Sequence, residues 1–286
     1  YMNGNLSTGP VNSLGAVAPT GYNWSEVQTG NSLRELNATN TAGGTTGYYL
    51  ADDFTVCSNW TISKFTFFGT ALNALTTVGP FNFCSIAIYN QDPSLANLNA
   101  PLYGSMTANA LSQQNQVNPI GLYRVNNGAS QLNLPIWRVE CNTSGLSLTP
   151  GTYWVVYSFR TSSGATAFSF PSTVSGTVTQ PGNNAQKKDA GTFGLWGGIS
   201  DNGNAQDLPF EIQYSTGACS GTPSPGNTTT TQAGPICGSV DFTLKLSNPN
   251  CATGITYQWQ YQKVIGGVAG TYTDITCLLY TSPSPR

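Results

Sequence analysis

Histidine is absent from all 286 residues. That removes Ser-His-Asp and Cys-His catalysis, His-ligated zinc and histidine acid/base chemistry together. Charge is scarce too: 8% of residues are Asp, Glu, Lys or Arg, against about 25% in an average soluble domain. With a net charge of −2, the chain has no electrostatic attraction for nucleic acid or an anionic membrane, and neither is expected as a partner. No apolar run approaches the roughly 20 residues that a membrane-spanning helix needs, so no membrane insertion is expected. No CxxC pair occurs among the cysteines at 57, 84, 141, 219, 237, 251 and 277. Their wide spacing favours disulfides in an oxidising compartment over metal binding. No initiator Met or signal-like segment opens the chain at Tyr1, which reads as a mature form or an internal fragment.

Aromatics are plentiful at 11%, and this separates the chain from disordered sequences of similarly low charge density. They recur with period two. In Trp60–Gly69, Trp60, Ile62, Phe65 and Phe67 are apolar, with Thr61, Ser63, Lys64 and Thr66 between, the pattern of a half-buried strand. The alternation slips at Ser63-Lys64, where a β-bulge is expected. A preceding run, Asp52 to Val56, suggests a pair of strands joined through Cys57–Asn59. Phe81–Tyr89 is bulky on both faces and is expected to be central. Further strands are predicted at 120–125, 132–141, 151–159, 166–170, 192–196 and 208–214. Residues 1–47 read as irregular coverage with one or two edge strands and Trp24 as a packing anchor. No window carries capped helical periodicity. The fold class expected is therefore all-β: a jelly-roll or Ig-like antiparallel β-sandwich over residues 1–218, followed by a partial Ig-like β-sandwich.

Residues 219–235, CSGTPSPGNTTTTQAGP, form a Pro/Gly/Thr linker. Beyond it, 236–246 and 255–261 alternate again, with Trp259 inward. A cysteine some 20 residues ahead of a strand tryptophan is the immunoglobulin-type arrangement.

Ala51-Asp52-Asp53-Phe54, Trp60-Thr61-Ile62, Phe67-Phe68-Gly69, Ile86–Tyr89, Gly151–Trp154, the Trp196 region and Asp207–Phe210 together resemble a β-sandwich of secreted bacterial surface proteins that differ mainly in how they are anchored. The likeness spans about residues 48–214. Cys219–Pro223, Cys237 and Thr256–Gln260 resemble the Ig-like repeats of bacterial cell-surface proteins, over about 55 residues. These resemblances imply an extracellular or cell-surface, adhesin-like role and bring no catalytic residues. The last residues, CLLYTSPSPR, resemble translated sequencing-adapter DNA at the end of an environmental assembly. On that reading the Ig-like domain covers 236–275, residues 276–286 are a non-native tail, and Cys277 is not a half-cystine.

Few constellations carry chemistry. Asp52-Asp53, and Asp201 and Asp207 in the loop 201–207, supply hard oxygen ligands for calcium. The competing reading is turn-capping at Asp52-Asp53 and a plain Asn202-Gly203 hairpin turn in the loop, which is favoured. Glycoside hydrolysis needs two carboxylates flanking a bond. Asp52, Asp53, Glu140 and Glu211 are the candidates, no motif joins them, and Arg138-Glu140 is expected to be a surface pair. Enzymatic function is therefore not expected. Trp60, Trp137, Trp154 and Trp196 are candidates for a sugar-stacking platform, although a core tryptophan is the commoner outcome; Trp196, among glycines, is the one expected at the surface. Asn-x-Ser/Thr triplets at Asn5, Asn23, Asn37, Asn59, Asn142 and Asn227 occur by chance in so Ser/Thr/Asn-rich a chain. Cys57, Cys84, Cys141, Cys219, Cys237 and Cys251 are the disulfide candidates; spacing does not fix the pairing, and Cys57 with Cys84 is the first expectation. The expected function is a non-catalytic surface module with glycans or other surface proteins as partners. The alternative is a carbohydrate-binding, calcium-dependent module attached to a secreted enzyme.

Overall fold

The computed structural model describes residues 1–27, 30–41, 47–71, 79–95, 100–112, 119–172, 184–189, 195–216, 228–230, 244–246 and 260–274. The chain divides into two compact units, Tyr1–Ser215 and Thr216–Arg286, and no helix occurs among the described residues.

Among the described residues the first unit holds sixteen strands. They are β1 (Met2–Asn3), β2 (Asn23–Glu26), β3 (Leu36–Asn37), β4 (Tyr49–Val56), β5 (Trp60–Ala71), β6 (Phe81–Tyr89), β7 (Tyr103–Ser105) and β8 (Leu122–Val125). There follow β9 (Trp137–Leu148), β10 (Gly151–Thr161), β11 (Ala167–Ser169), β12 (Gln186–Lys188), β13 (Trp196–Gly198), β14 (Ser200–Asp201), β15 (Asn204–Ala205) and β16 (Phe210–Thr216). Two six-stranded sheets form the sandwich. In the first, β5 is flanked by β9 and by β16 and β11, with β1 beyond β16 and β3 beyond β11. The second has the order β13-β12-β4-β10-β6-β7.

Period-two alternation decides which side chains meet between these layers. Ile62, Phe65 and Phe67 of β5 and Trp137, Val139 and Cys141 of β9 are buried against Leu50, Phe54 and Val56 of β4 and Val155, Tyr157 and Phe159 of β10. The expected bulge in β5 is present: its register with β9 shifts between Ile62 and Lys64. Without that extra residue Phe65 and Phe67 would point outward, since a one-residue slip exchanges the faces of a strand. Instead both rings stay in the core, Phe67 stacked on Tyr157 at 4.1 Å between centroids.

The strands on either side of Cys57–Asn59 are real, but they do not pair with each other. β4 pairs with β10 and β12, and β5 belongs to the other sheet, so the connection crosses from layer to layer. The Pro150-Gly151 turn does the same between β9 and β10. Strand β6 lies between β10 and β7 and is buried on both faces. A second, smaller cluster on the outer face of the first sheet joins Phe68, Phe170, Ile136 and Leu6. Trp24 anchors a third with Ala18 and Val125, its indole N–H donating to the Ala16 carbonyl at 3.0 Å. Segment 1–47 contributes three short strands, and β2 pairs in parallel with β8.

In the second unit β17 (Thr228–Thr230) pairs with β18 (Leu244–Leu246), and β19 (Gln260–Ile265) with β20 (Val268–Asp274). Both pairs are antiparallel. Trp259, Cys219, Cys237, Cys251 and Cys277 lie outside the described residues.

Candidate functional site

Residue 52 falls on the inward face of β4, in register with Leu50 and Phe54, so its carboxylate enters the space between the sheets. Asp52 is 1% exposed. Three donors meet it there. Its Oδ2 accepts from Asn3 Nδ2 at 2.9 Å and from the Leu208 amide at 2.7 Å, and its Oδ1 accepts from the Asp53 amide at 2.9 Å. Asn3 reaches this point because β1 pairs with β16, and its amide also donates to the Leu208 carbonyl at 3.0 Å. Burial and then the neighbouring Asp207 push the Asp52 carboxyl well above the usual carboxylate range, against the pull of those amides. Asp207 is buried as well, and burial, then Asp53, pushes its carboxyl up to about 7. Its Oδ2 has no hydrogen-bond partner among the described residues. Asp52, Asp53 and Asp207 thus share one electrostatic neighbourhood. Asp53 points to the opposite face of β4, as consecutive strand residues must. Asn3, invisible to a search for acidic motifs, completes the arrangement.

Asp201, the fourth calcium candidate, is engaged elsewhere. Its carboxylate accepts from the Ser32 amide at 2.6 Å, the Ser32 hydroxyl at 2.9 Å and the Leu33 amide. Arg124 holds the same segment through its carbonyls: Nε donates to Arg34 O at 2.9 Å and Nη2 to Leu33 O at 3.4 Å. Its guanidinium is buried over the Phe170 ring, and burial pulls it down to about 9. Residues 32–34 are therefore pinned on their amides by an anion and on their carbonyls by a cation. The loop between β14 and β15 is the hairpin turn that Asn-Gly predicts: Asn202 and Gly203 have φ of 49° and 82°, both in the left-handed region. Among the described residues no three His, Cys, Asp or Glu side chains are grouped so that they could hold a metal ion.

Three further acids are similarly occupied. Glu26 accepts from the Ser13 amide at 2.9 Å and from the Gly128 amide. Glu140 pairs with Lys64 at 2.8 Å and Arg138 at 3.8 Å, and Arg138 also pairs with Glu211. The expected Arg138-Glu140 surface pair is thus part of a network across β5, β9 and β16.

Trp60, Trp137 and Trp154 are buried, as core tryptophans. Trp60 stacks on Tyr214 at 3.9 Å between centroids. Trp196 is half-buried rather than open, resting on the outer face of the second sheet against Tyr49 and Trp154. Lys188, its cross-strand partner, lies 5.8 Å from the Tyr49 ring centroid.

Cys84 bonds to Cys141, not to Cys57. Cys84 faces inward from β6 and Cys141 inward from β9, with Cα atoms 6.7 Å apart, so the bridge joins the two sheets. Cys57, on the layer-crossing connection, is in a different disulfide.

Sandwich, clamp and bridge define a disulfide-bonded all-β domain. No family model, curated protein or solved structure matches the chain.

Proposed function

We propose that this chain is a non-catalytic, adhesin-like or structural module of a secreted bacterial surface protein, acting outside the cell. The observation that supports this reading is where its few carboxylates go. Asp52, Asp201 and Glu26 each accept several backbone or amide donors, and Glu140 and Glu211 are held in ion pairs. A hydrolase acid pair needs a water-accessible bond between the two groups, whereas here they tie strands and loops together. The buried Cys84–Cys141 bridge suits an oxidising compartment. Two measurements test the proposal. The full chain coupled to beads should give saturable retention on glycoprotein-coated surfaces, and a panel of aryl glycosides should show no turnover above background. Turnover abolished by Asp207→Asn would overturn it.

A second reading, a carbohydrate-binding module of a larger enzyme, draws on the half-buried Trp196 beside Tyr49 and Lys188. Loss of glycan retention in Trp196→Ala, reversed by neither calcium nor chelator, would assign binding to that face without a metal.

A further inference from the structure

The Trp196 face lies at the β13 edge of the second sheet. At the opposite edge, beyond β6, the sandwich opens between β7 and the C-terminal half of β9. A groove of about 460 Å³ occupies this mouth, within the roughly 300–1,000 Å³ usual for small-molecule sites. Its floor is the buried apolar pair Leu146 and Leu148. Leu102 and the half-buried Tyr103 form one wall, and Tyr153 closes the end with its hydroxyl donating to the Thr149 carbonyl at 3.0 Å. Asn90 and Ser147 stand on the rim, exposed.

We propose that this groove binds a neutral oligosaccharide. None of the nine described lining residues is charged, so these residues offer no counter-ion to a phosphate, carboxylate or amine. What it offers is an apolar wall with a tyrosine ring, suited to the C–H face of a pyranose, beside amide and hydroxyl groups suited to sugar hydroxyls. A peptide strand added to the sheet edge is the competing occupant, and it needs a straight ladder of free N–H and C=O groups. β7 does not supply one. It is three residues long, and Gly104 at its centre has φ +78°, where a Cβ would clash with the Ile86 carbonyl oxygen, a bend rather than a template.

This assignment rests on the non-catalytic surface-module reading and is tested apart from it. The full chain is titrated with lactose, cellotriose, maltotriose and chitotriose, with sialyllactose as the anionic counterpart and a Thr/Val-rich octapeptide as the strand probe, followed by amide NMR shifts. At least one neutral sugar should bind saturably and sialyllactose more weakly than lactose. Tyr103→Ala and Ser147→Lys should each weaken binding tenfold or more. Ser147 is exposed, so Ser147→Lys keeps the fold if Tyr103→Ala does not. No shift with any neutral sugar, affinity indifferent to Ser147→Lys, or binding of the octapeptide alone would overturn the groove as a saccharide site. The bead-retention and turnover assays would still decide the surface-module reading by themselves.

Discussion

Asp52 accepts three hydrogen bonds in the interior of the sandwich. Asp52→Ala removes the carboxylate that accepts from the Leu208 and Asp53 N–H groups and from the Asn3 amide, which keeps only its bond to the Leu208 carbonyl. A loss of about 2–4 kcal/mol is expected, read as a lower urea midpoint. Asp207 sets a pH dependence. Its carboxyl titrates at 3.8 in the unfolded chain and about 7 in the folded one, so the folded state holds that proton more tightly. Its contribution is complete below 3.8 and is lost as pH rises to about 7. Asp52, raised as well, acts with the same sign. The expected result is that Asp207→Asn is more stable than the parent at pH 8 and loses that advantage towards pH 4, measured by urea unfolding across the range. None of this could be read locally, since Asn3 lies 49 residues from Asp52 and only the pairing of β1 with β16 brings them together. The Asn202-Gly203 turn, by contrast, is determined by two adjacent residues and was legible from them alone.

Strands show the same division between near and far. Alternation states which side chains share a face, and a break in it marks a bulge, so the β5 register shift could be anticipated from Ser63-Lys64. Alternation does not say which sheet a strand joins. That choice rests on long-range packing, and for this reason β4 and β5 read as neighbours though they lie in different layers. The cysteine pairing is hidden for the same reason: Cys84 and Cys141 meet only once β6 and β9 are stacked across the core. Replacing both with Ser opens a loop spanning 57 positions. The chain-entropy relation puts the loss at about 4 kcal/mol, measurable by comparing urea midpoints of the parent and the double variant. The tryptophans were legible in kind but not in every place: Trp24, Trp60, Trp137 and Trp154 are interior, and Trp196 is half-covered by the sheet beneath it.

At the scale of the molecule, Tyr1–Ser215 contains both large sheets and all four buried apolar clusters. Expressed alone, residues 1–215 should unfold in one cooperative transition at the temperature of the corresponding transition in the full chain, by calorimetry; a broad or lowered transition would show that the unit depends on residues 216–286. The covalent tie between the sheets also has a mechanical side. Pulled from its two ends, the oxidised chain cannot release the 57-position stretch between Cys84 and Cys141. With Cys57 in a further disulfide, its full extension should fall short of the reduced chain's by at least roughly 190–205 Å, a difference that single-molecule force spectroscopy reads directly. Under tension, that stretch stays closed until the bridge is reduced.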